Sequence, residues 1–382
     1  MRIGIDARFY GSLGKGLGRY TEKLIEGLER QDSRNEYFVF LRKENFDAYV
    51  PRSEHFHKVL ADYSWYGWRE QTLFPRLLRR LHLDLIHFPH FNVPLFYRRR
   101  FVVTIHDLIL LHFPTIKASE LPPFIYWMKY WAYRFVIRSA IERARTIFTV
   151  SHFTLEDIQK HYPCSREKLF LTYESADPFC RYVRDQEKRE LFSSLHLLST
   201  EDEKDLAIRP YALYVGNAYP HKNLESLLDV AHAFPELVFV LVGKEDYFYR
   251  ALQEKVSHEK LSNILFAGFV PDSLLSALYE KARVYLFPSL YEGFGLPALE
   301  AAAHGLPVLA ADRGSLREIM GEGALYFDPS RKSSFRECLA HMLEDEALRQ
   351  RLRLVAYERL SRFSWEKMAH ETLSRYHEVT GL

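Results

Sequence analysis

The sequence predicts an α/β protein of two domains, each built on a doubly wound parallel sheet. Three observations carry this. Short runs of Val, Ile, Leu and aromatic residues alternate with segments of helical periodicity along nearly the whole chain. The length, 382 residues, exceeds what one hydrophobic core ordinarily organises. A charged and polar stretch at 184–208, poor in apolar residues, divides the chain near its middle. The first domain is therefore placed at 1–190 and the second at 205–363.

In the first half, 2–6, 37–41, 84–88, 101–105 and 145–150 are continuous apolar runs bounded by polar or turn residues, the pattern of strands buried on both faces. Helical periodicity covers 17–28, 64–82 and 119–143. In the second half, strands are expected at 211–215, 237–242, 264–266, 284–287, 308–309 and 325–327, with helical segments between them. A last helix runs from Phe363 to Val379, with Trp365 near its start.

Composition narrows the function. A hydrophobic content of 47% is ordinary for a globular chain, no apolar run reaches membrane-spanning length, and the N-terminus opens as a strand rather than a signal peptide. Cys164, Cys180 and Cys338 are odd in number and far apart, which fits neither a metal site nor a disulfide framework and places the chain by default in a reducing cytoplasm. The net charge of +2 hides an asymmetry: residues 1–190 carry 31 Lys and Arg against 23 Asp and Glu, and the remainder 21 against 27. A basic first half suits an anionic membrane surface or a pyrophosphate-linked acceptor. No nucleic-acid recognition motif accompanies the charge. Residues 119–143 interleave aromatics with Lys129, Arg134 and Arg138, and Arg98-Arg-Arg100 lies just upstream. Such a helix can lie in a membrane interface, at the inner face of the plasma membrane for a cytoplasmic chain, or it can simply pack.

The most informative stretch is Tyr291-Glu-Gly-Phe-Gly-Leu-Pro-Ala-Leu-Glu300, which follows the apolar run 284–287. Pro297 fits the start of a helix, and Gly305 with Pro307 ends it. Gly293 and Gly295 let the backbone approach a ligand closely. The helix N-terminus behind them carries unpaired N–H groups suited to phosphate. Glu292 and Glu300 can then accept bonds from hydroxyls on either side of a diphosphate, which describes a nucleotide sugar. Gly216-Asn-Ala-Tyr-Pro-His-Lys222 also joins a strand to a helix, and Lys222 offers a cation at the helix start. His106 stands at the end of the 101–105 strand, where open α/β sheets bind ligands.

The stretch Ser289-Leu-Tyr-Glu-Gly-Phe-Gly-Leu-Pro-Ala-Leu-Glu300 resembles the signature of the retaining glycosyltransferases of family four. The resemblance runs over nearly the whole chain and implies the GT-B fold, two Rossmann-like domains facing across a cleft. The second domain would hold the donor and the first the acceptor, with a C-terminal helix, 364–382, returning to complete the first. It assigns donor binding to Gly216, Asn217, Lys222, Val270, Gly293, Phe294, Gly295, Leu296 and Glu300, and a catalytic part to Glu292, His106 and Lys222. Asn217 stands where the family often has arginine, and Gly16 matches a loop that approaches donor phosphate or acceptor. The resemblance implies no cofactor and no metal; no Asp-x-Asp is placed to hold one between phosphates. Ile5-Asp-Ala-Arg8, Gly18-Arg-Tyr20, Tyr214-Val-Gly216 and Pro220-His-Lys-Asn223 look most like bacterial mannosyltransferases that build surface polysaccharides. That similarity points to GDP-mannose as donor and a glycan or lipid-linked glycan as acceptor, with UDP- and dTDP-sugars open. Two other readings stand beside it: a glycan- or membrane-binding protein that keeps the fold without turnover, and a nicotinamide-dependent dehydrogenase. The second lacks a Gly-x-Gly-x-x-Gly after the first strand.

Overall fold

The computed structural model describes residues 1–11, 15–114, 123–176, 184–198 and 208–381. They form two compact units. The first takes the described residues of Met1–Pro114, Leu121–Glu174 and Phe363–Leu382, and the second those of Ser175–Arg362.

The first unit contains β1 (Arg2–Asp6), α1 (Lys15–Gln31), β2 (Glu36–Leu41), β3 (Phe56–Leu60), α2 (Trp68–Arg80), β4 (Leu85–Phe88), β5 (Phe101–Ile105), α3 (Ile109–His112), α4 (Pro123–Arg143), β6 (Thr146–Thr149), α5 (His152–His161) and β7 (Leu169–Leu171). The strands form one parallel sheet in the order β3-β2-β1-β4-β5-β6-β7. The central strands β1, β4, β5 and β6 are buried almost end to end because helices cover both faces, so their sequences are continuously apolar. The edge strands differ. Phe56–Leu60 mixes buried and exposed positions, and Leu169–Leu171 is three residues long. Neither has the long apolar run of a central strand, and short polar edges are how sheets avoid pairing with other chains. The sheet therefore has seven strands where periodicity alone indicates five.

The second unit contains α6 (Asp185–Ser194), β8 (Tyr211–Val215), α7 (Ser226–Ala233), β9 (Val238–Val242), α8 (Tyr247–His258), β10 (Ile264–Gly268), α9 (Asp272–Lys281), β11 (Val284–Phe287), α10 (Leu296–Ala303), β12 (Val308–Ala311), α11 (Leu316–Met320), β13 (Ala324–Phe327), α12 (Lys332–Glu344) and α13 (Glu346–Leu360). Its parallel sheet runs β10-β9-β8-β11-β12-β13. α6 lies in the polar stretch and belongs to this unit, where Phe192 is fully buried. Part of that stretch, 199–207, lies outside the described residues.

The chain then returns to the first unit through α14 (Trp365–Thr380). Its Ser364 cap accepts from the Lys367 amide, and its buried stripe of Trp365, Met368, Ala369, Thr372 and Tyr376 keeps the helical period. Ala369 packs so closely on α1 that a Cβ at Gly27 would sit 2.4 Å from its methyl.

Candidate active site

The strand order of the second unit reverses between β8 and β11. Ligands of open α/β sheets gather beyond the carboxyl ends of the strands at such a reversal, because two adjacent loops there diverge to opposite faces. The loop leaving β8 carries Lys222 and the loop leaving β11 carries Glu292.

The β8 loop is tightly braced. The Gly216 amide donates to the Val242 carbonyl at 2.9 Å, and the Tyr249 hydroxyl donates to the Gly216 carbonyl at 2.8 Å. The Tyr214 hydroxyl donates to the Asn217 carbonyl at 2.6 Å. The Asn217 side chain accepts from the Tyr219 amide at 3.3 Å, so it shapes the turn. Pro220–Lys222 form one 3-10 turn, closed by Asn223 in the left-handed region at φ 56°. Lys222 is left buried at 9% exposure.

The β11 turn is held from two sides. The Leu290 amide donates to the His221 carbonyl at 2.7 Å. The Ser315 hydroxyl lies 3.1 and 2.9 Å from the carbonyls of Glu292 and Phe294. Gly295 closes the turn at φ 101°, where any Cβ would meet Leu316 Cδ2 at 2.9 Å. α10 starts directly after it, with Pro297 in its first turn. Gly293 and Phe294 are buried within the turn and Leu296 is half-buried.

These braces bring Lys222 Nζ to 2.5 Å from Glu292 Oε1, both side chains buried. The ammonium also lies 5.8 Å from the centre of the Phe287 ring. Glu300, one turn into α10, is buried and accepts from the Tyr279 hydroxyl at 3.1 Å. Tyr279 in turn stacks on His304. Val270 is buried just beyond β10, next to Phe269, which is 75% exposed. Chemically this is a buried cation–carboxylate pair beside a helix N-terminus. It is able to hold an anion with Lys222 and the amides, and to accept hydroxyl bonds with Glu292 and Glu300.

In the first unit, His106 leaves β5 with both ring nitrogens against acceptors: Nδ1 lies 2.9 Å from Glu174 Oε1 and Nε2 3.0 Å from the Pro89 carbonyl. Two acceptors favour the protonated ring, which donates from both nitrogens. Burial opposes that charge, but the Glu174 bond and charge, the Pro89 carbonyl and Asp107 outweigh it and raise the His106 pKa. The raised value adds stability that is complete below the ordinary 6.5 and is lost as pH rises through the folded value. Chemical unfolding between about pH 6 and 9 is expected to show this loss, and Glu174→Gln to flatten it. An unchanged slope in the variant would exclude the pair as its source.

Tyr20 meets His106 edge-on, with ring centroids 4.7 Å apart. Its hydroxyl lies 3.0 Å from Thr104 Oγ1, which is 2.7 Å from His87 Nε2, and His87 Nδ1 is 2.5 Å from the Tyr376 hydroxyl on α14. Burial and the His106 charge push the His87 pKa down to about 3, so this ring is neutral and structural.

Gly16 lies in the first turn of α1, not in a loop, and is exposed. The helix begins two residues earlier than its apolar periodicity because exposed first-turn residues carry no periodic signal. Residues 12–14 of the glycine-rich segment, and Cys180, lie outside the described residues. Gly18 has a packing role: a Cβ there would meet the Gly11 carbonyl oxygen at 2.0 Å.

Two features escape the sequence reading. Glu174 is not part of any quoted motif. Arg8, fully buried, bonds Asp6 through Nε and Nη2, each at 2.7 Å, and Glu70 at 2.7 Å, with its guanidinium 4.3 Å over the Phe74 ring. The Asp-x-Arg pair at the end of β1 is the only local signal, since Glu70 joins from α2. Among the described residues, one group could hold a metal: His112 of α3 with Asp157 and His161 of α5, whose ligating atoms lie within 4.8 Å of one another. It is separate from the residues above, and its histidines bond the Asp157 carboxylate directly.

Sequence comparison places this geometry in a class. The family model described as "Glycosyl transferases group 1" matches residues 199–359, and that described as "Glycosyltransferase Family 4" matches residues 14–178. The chain belongs to the family-four glycosyltransferases, and its two Rossmann-like domains are those of the GT-B fold. It is 28% identical to O-antigen chain mannosyltransferase B of Escherichia coli, over 94% of this chain and 95% of that one. It is 27% identical to O-antigen chain mannosyltransferase RfbU of Salmonella typhimurium, over 65% of this chain and 66% of that one. Among solved structures, the sucrose-phosphate synthase of Thermosynechococcus elongatus superposes with a TM-score of 0.75 at 20% identity, covering 100% of this chain and 99% of the other. HepE of Anabaena, in complex with UDP and glucose, superposes at 0.71 and 18%, covering 98% of each. These two show the fold alone.

Proposed function

We propose that this glycosyltransferase moves mannose from GDP-mannose to a hydroxyl of a glycan or lipid-linked glycan, with retention at the anomeric carbon and without a metal. The observation that carries the reading is the buried Lys222–Glu292 pair at the β8/β11 reversal, beside the N-terminus of α10. The mannosyltransferase relatives favour the sugar. The second unit holds the donor and the first takes the acceptor. As the bond from the anomeric carbon to the phosphate oxygen breaks, its electron pair stays on the diphosphate. Lys222 and the amides at 293–295 stabilise that charge, which is electrostatic catalysis. The acceptor oxygen bonds to the same face of the sugar and its proton passes to the leaving phosphate. Glu292 and Glu300 position hydroxyls of the donor.

The reading also includes a peripheral membrane contact. Phe124, Trp127, Met128, Trp131 and Phe135 form an exposed stripe along α4, with Lys129 and Arg134 beside it. Among the described residues no helix is long and apolar enough to cross a membrane. Such a contact suits a cytoplasmic enzyme working on a lipid-linked acceptor.

The test is incubation with GDP-mannose, UDP-glucose and dTDP-rhamnose, with and without EDTA. Nuclear magnetic resonance then assigns the anomeric configuration of the product. GDP-mannose turnover that EDTA leaves unchanged, with an α-linked product, is the expected result. Turnover of the other donors alone would replace the donor, an inverted product would remove the mechanism, and no turnover with any donor would favour a binding protein.

A further inference from the structure

All strands of the first sheet run parallel, so its two ends differ in kind. His106 leaves the carboxyl end of β5 and Arg8 that of β1. At the opposite, amino end lies a cavity of about 870 Å³. Asp84 precedes β4 at this end, Arg98–Arg100 precede β5, Arg145 precedes β6 and Lys168 precedes β7. The cavity is thus separated from the candidate acceptor end by the length of the sheet.

Its charges sort into two groups. Some are already used. Arg143, at the end of α4, donates to the Ser139 and Tyr97 carbonyls and lies over Phe101. Lys168 Nζ donates to the Glu142 carbonyl at 2.9 Å. Lys168 serves a last-turn carbonyl of α4 and Arg143 sits at its negative end, the ordinary reason for basic residues at a helix C-terminus. The two acids are also engaged: Asp84 accepts from the Arg2 amide, and Glu142 pairs with Arg138 outside the cavity. Arg98, Arg99, Arg100 and Arg145 remain. All four are exposed, and none is in an ion pair among the described residues. Burial and the nearby Arg98 charge also push the Arg143 pKa down, so like charges are crowded here.

We propose that this cavity binds a ligand bearing clustered phosphate groups, at a site separate from that of sugar transfer. Arginine is the side chain suited to it, because its planar fork meets two phosphate oxygens at once. Three consecutive arginines on one segment, faced by Arg145, converge on more than one phosphate. The same chemistry is offered by an anionic phospholipid headgroup and by a soluble polyphosphate.

The experiment uses the full chain and inorganic tripolyphosphate as probe, titrated calorimetrically at about 0.15 M salt. The triple variant Arg98→Gln, Arg99→Gln, Arg100→Gln is compared with a charge-matched control, Lys332→Gln, Arg336→Gln, Arg351→Gln, drawn from exposed positions of the second unit. Saturable binding is expected, weakened about tenfold or more by the first set and left within about twofold by the control. Phosphate held at Lys222 would survive the triple substitution, so binding that the triple variant leaves unchanged overturns the proposal. Equal losses in both sets, which would indicate diffuse charge, or no saturable binding at all also overturn it. Sedimentation with phosphatidylcholine vesicles containing about 30% phosphatidylglycerol separates the sources. Vesicle binding displaced by tripolyphosphate and lost in the triple variant identifies a lipid headgroup. Tripolyphosphate binding without vesicle binding identifies a soluble ligand.

Discussion

Lys222→Met is expected to lower kcat by about 10²–10³-fold, the scale of losing one preorganised group that stabilises transition-state charge. The same change is expected to cost about 3–5 kcal/mol of stability, because it leaves the Glu292 carboxylate buried without its partner. The two effects can be separated. In the double variant Lys222→Met, Glu292→Gln neither charge of the pair remains, so most of the stability should return while turnover stays lost. Denaturant unfolding and steady-state transfer, measured on all three proteins, decide the matter. A double variant with restored activity would make the pair structural. A covalent mannosyl adduct trapped on Glu292 would give that residue a nucleophilic role in place of positioning.

Arg8→Met is the second large expectation, and it concerns stability. Asp6, Arg8 and Glu70 are 4%, 0% and 0% exposed, and one guanidinium serves both carboxylates. Removing it strands two buried carboxylates, for an expected loss of about 3–5 kcal/mol near neutral pH. The pH dependence carries the diagnosis. Burial already raises the Glu70 pKa, and Arg8 and Asn92 partly restrain it. Without Arg8 the folded value rises further above the unfolded one. Protonation then favours the folded state, so the variant should gain stability as pH falls from about 7 towards 5. A deficit that stays constant over this range would mean that the loss comes from packing against Phe74 and not from charge.

Much of this was legible in the chain. The strands that became β1, β2, β4, β5, β6 and all of β8–β13 are apolar runs; those inside a sheet are buried on both faces and have no polar positions to interrupt them, and the half-buried edges β10 and β13 are apolar as well. The donor turn was legible for a related reason: Glu292, two glycines, Pro297 and Glu300 lie within ten residues, so local geometry alone brings them together. β3 and β7 were not legible: polar His57 and Lys58 interrupt β3, and β7 is three residues long. Gly16 was placed in a loop by the family resemblance, although it lies in the first turn of α1.

By itself, then, the sequence determined two parallel α/β sheets, the glycine-bearing turn into α10, the family, and a basic first half. Those properties rest on local spacing and on which residues must be buried. Only the tertiary structure decided that Lys222 meets Glu292 across 70 positions, that Glu174 meets His106 across 68, and that Glu70 closes on Arg8. It also decided that Arg98–Arg100 and Arg145 line one cavity. Each of these pairings depends on which strand ends are neighbours in a sheet, and strand order follows from packing that no local window of residues contains.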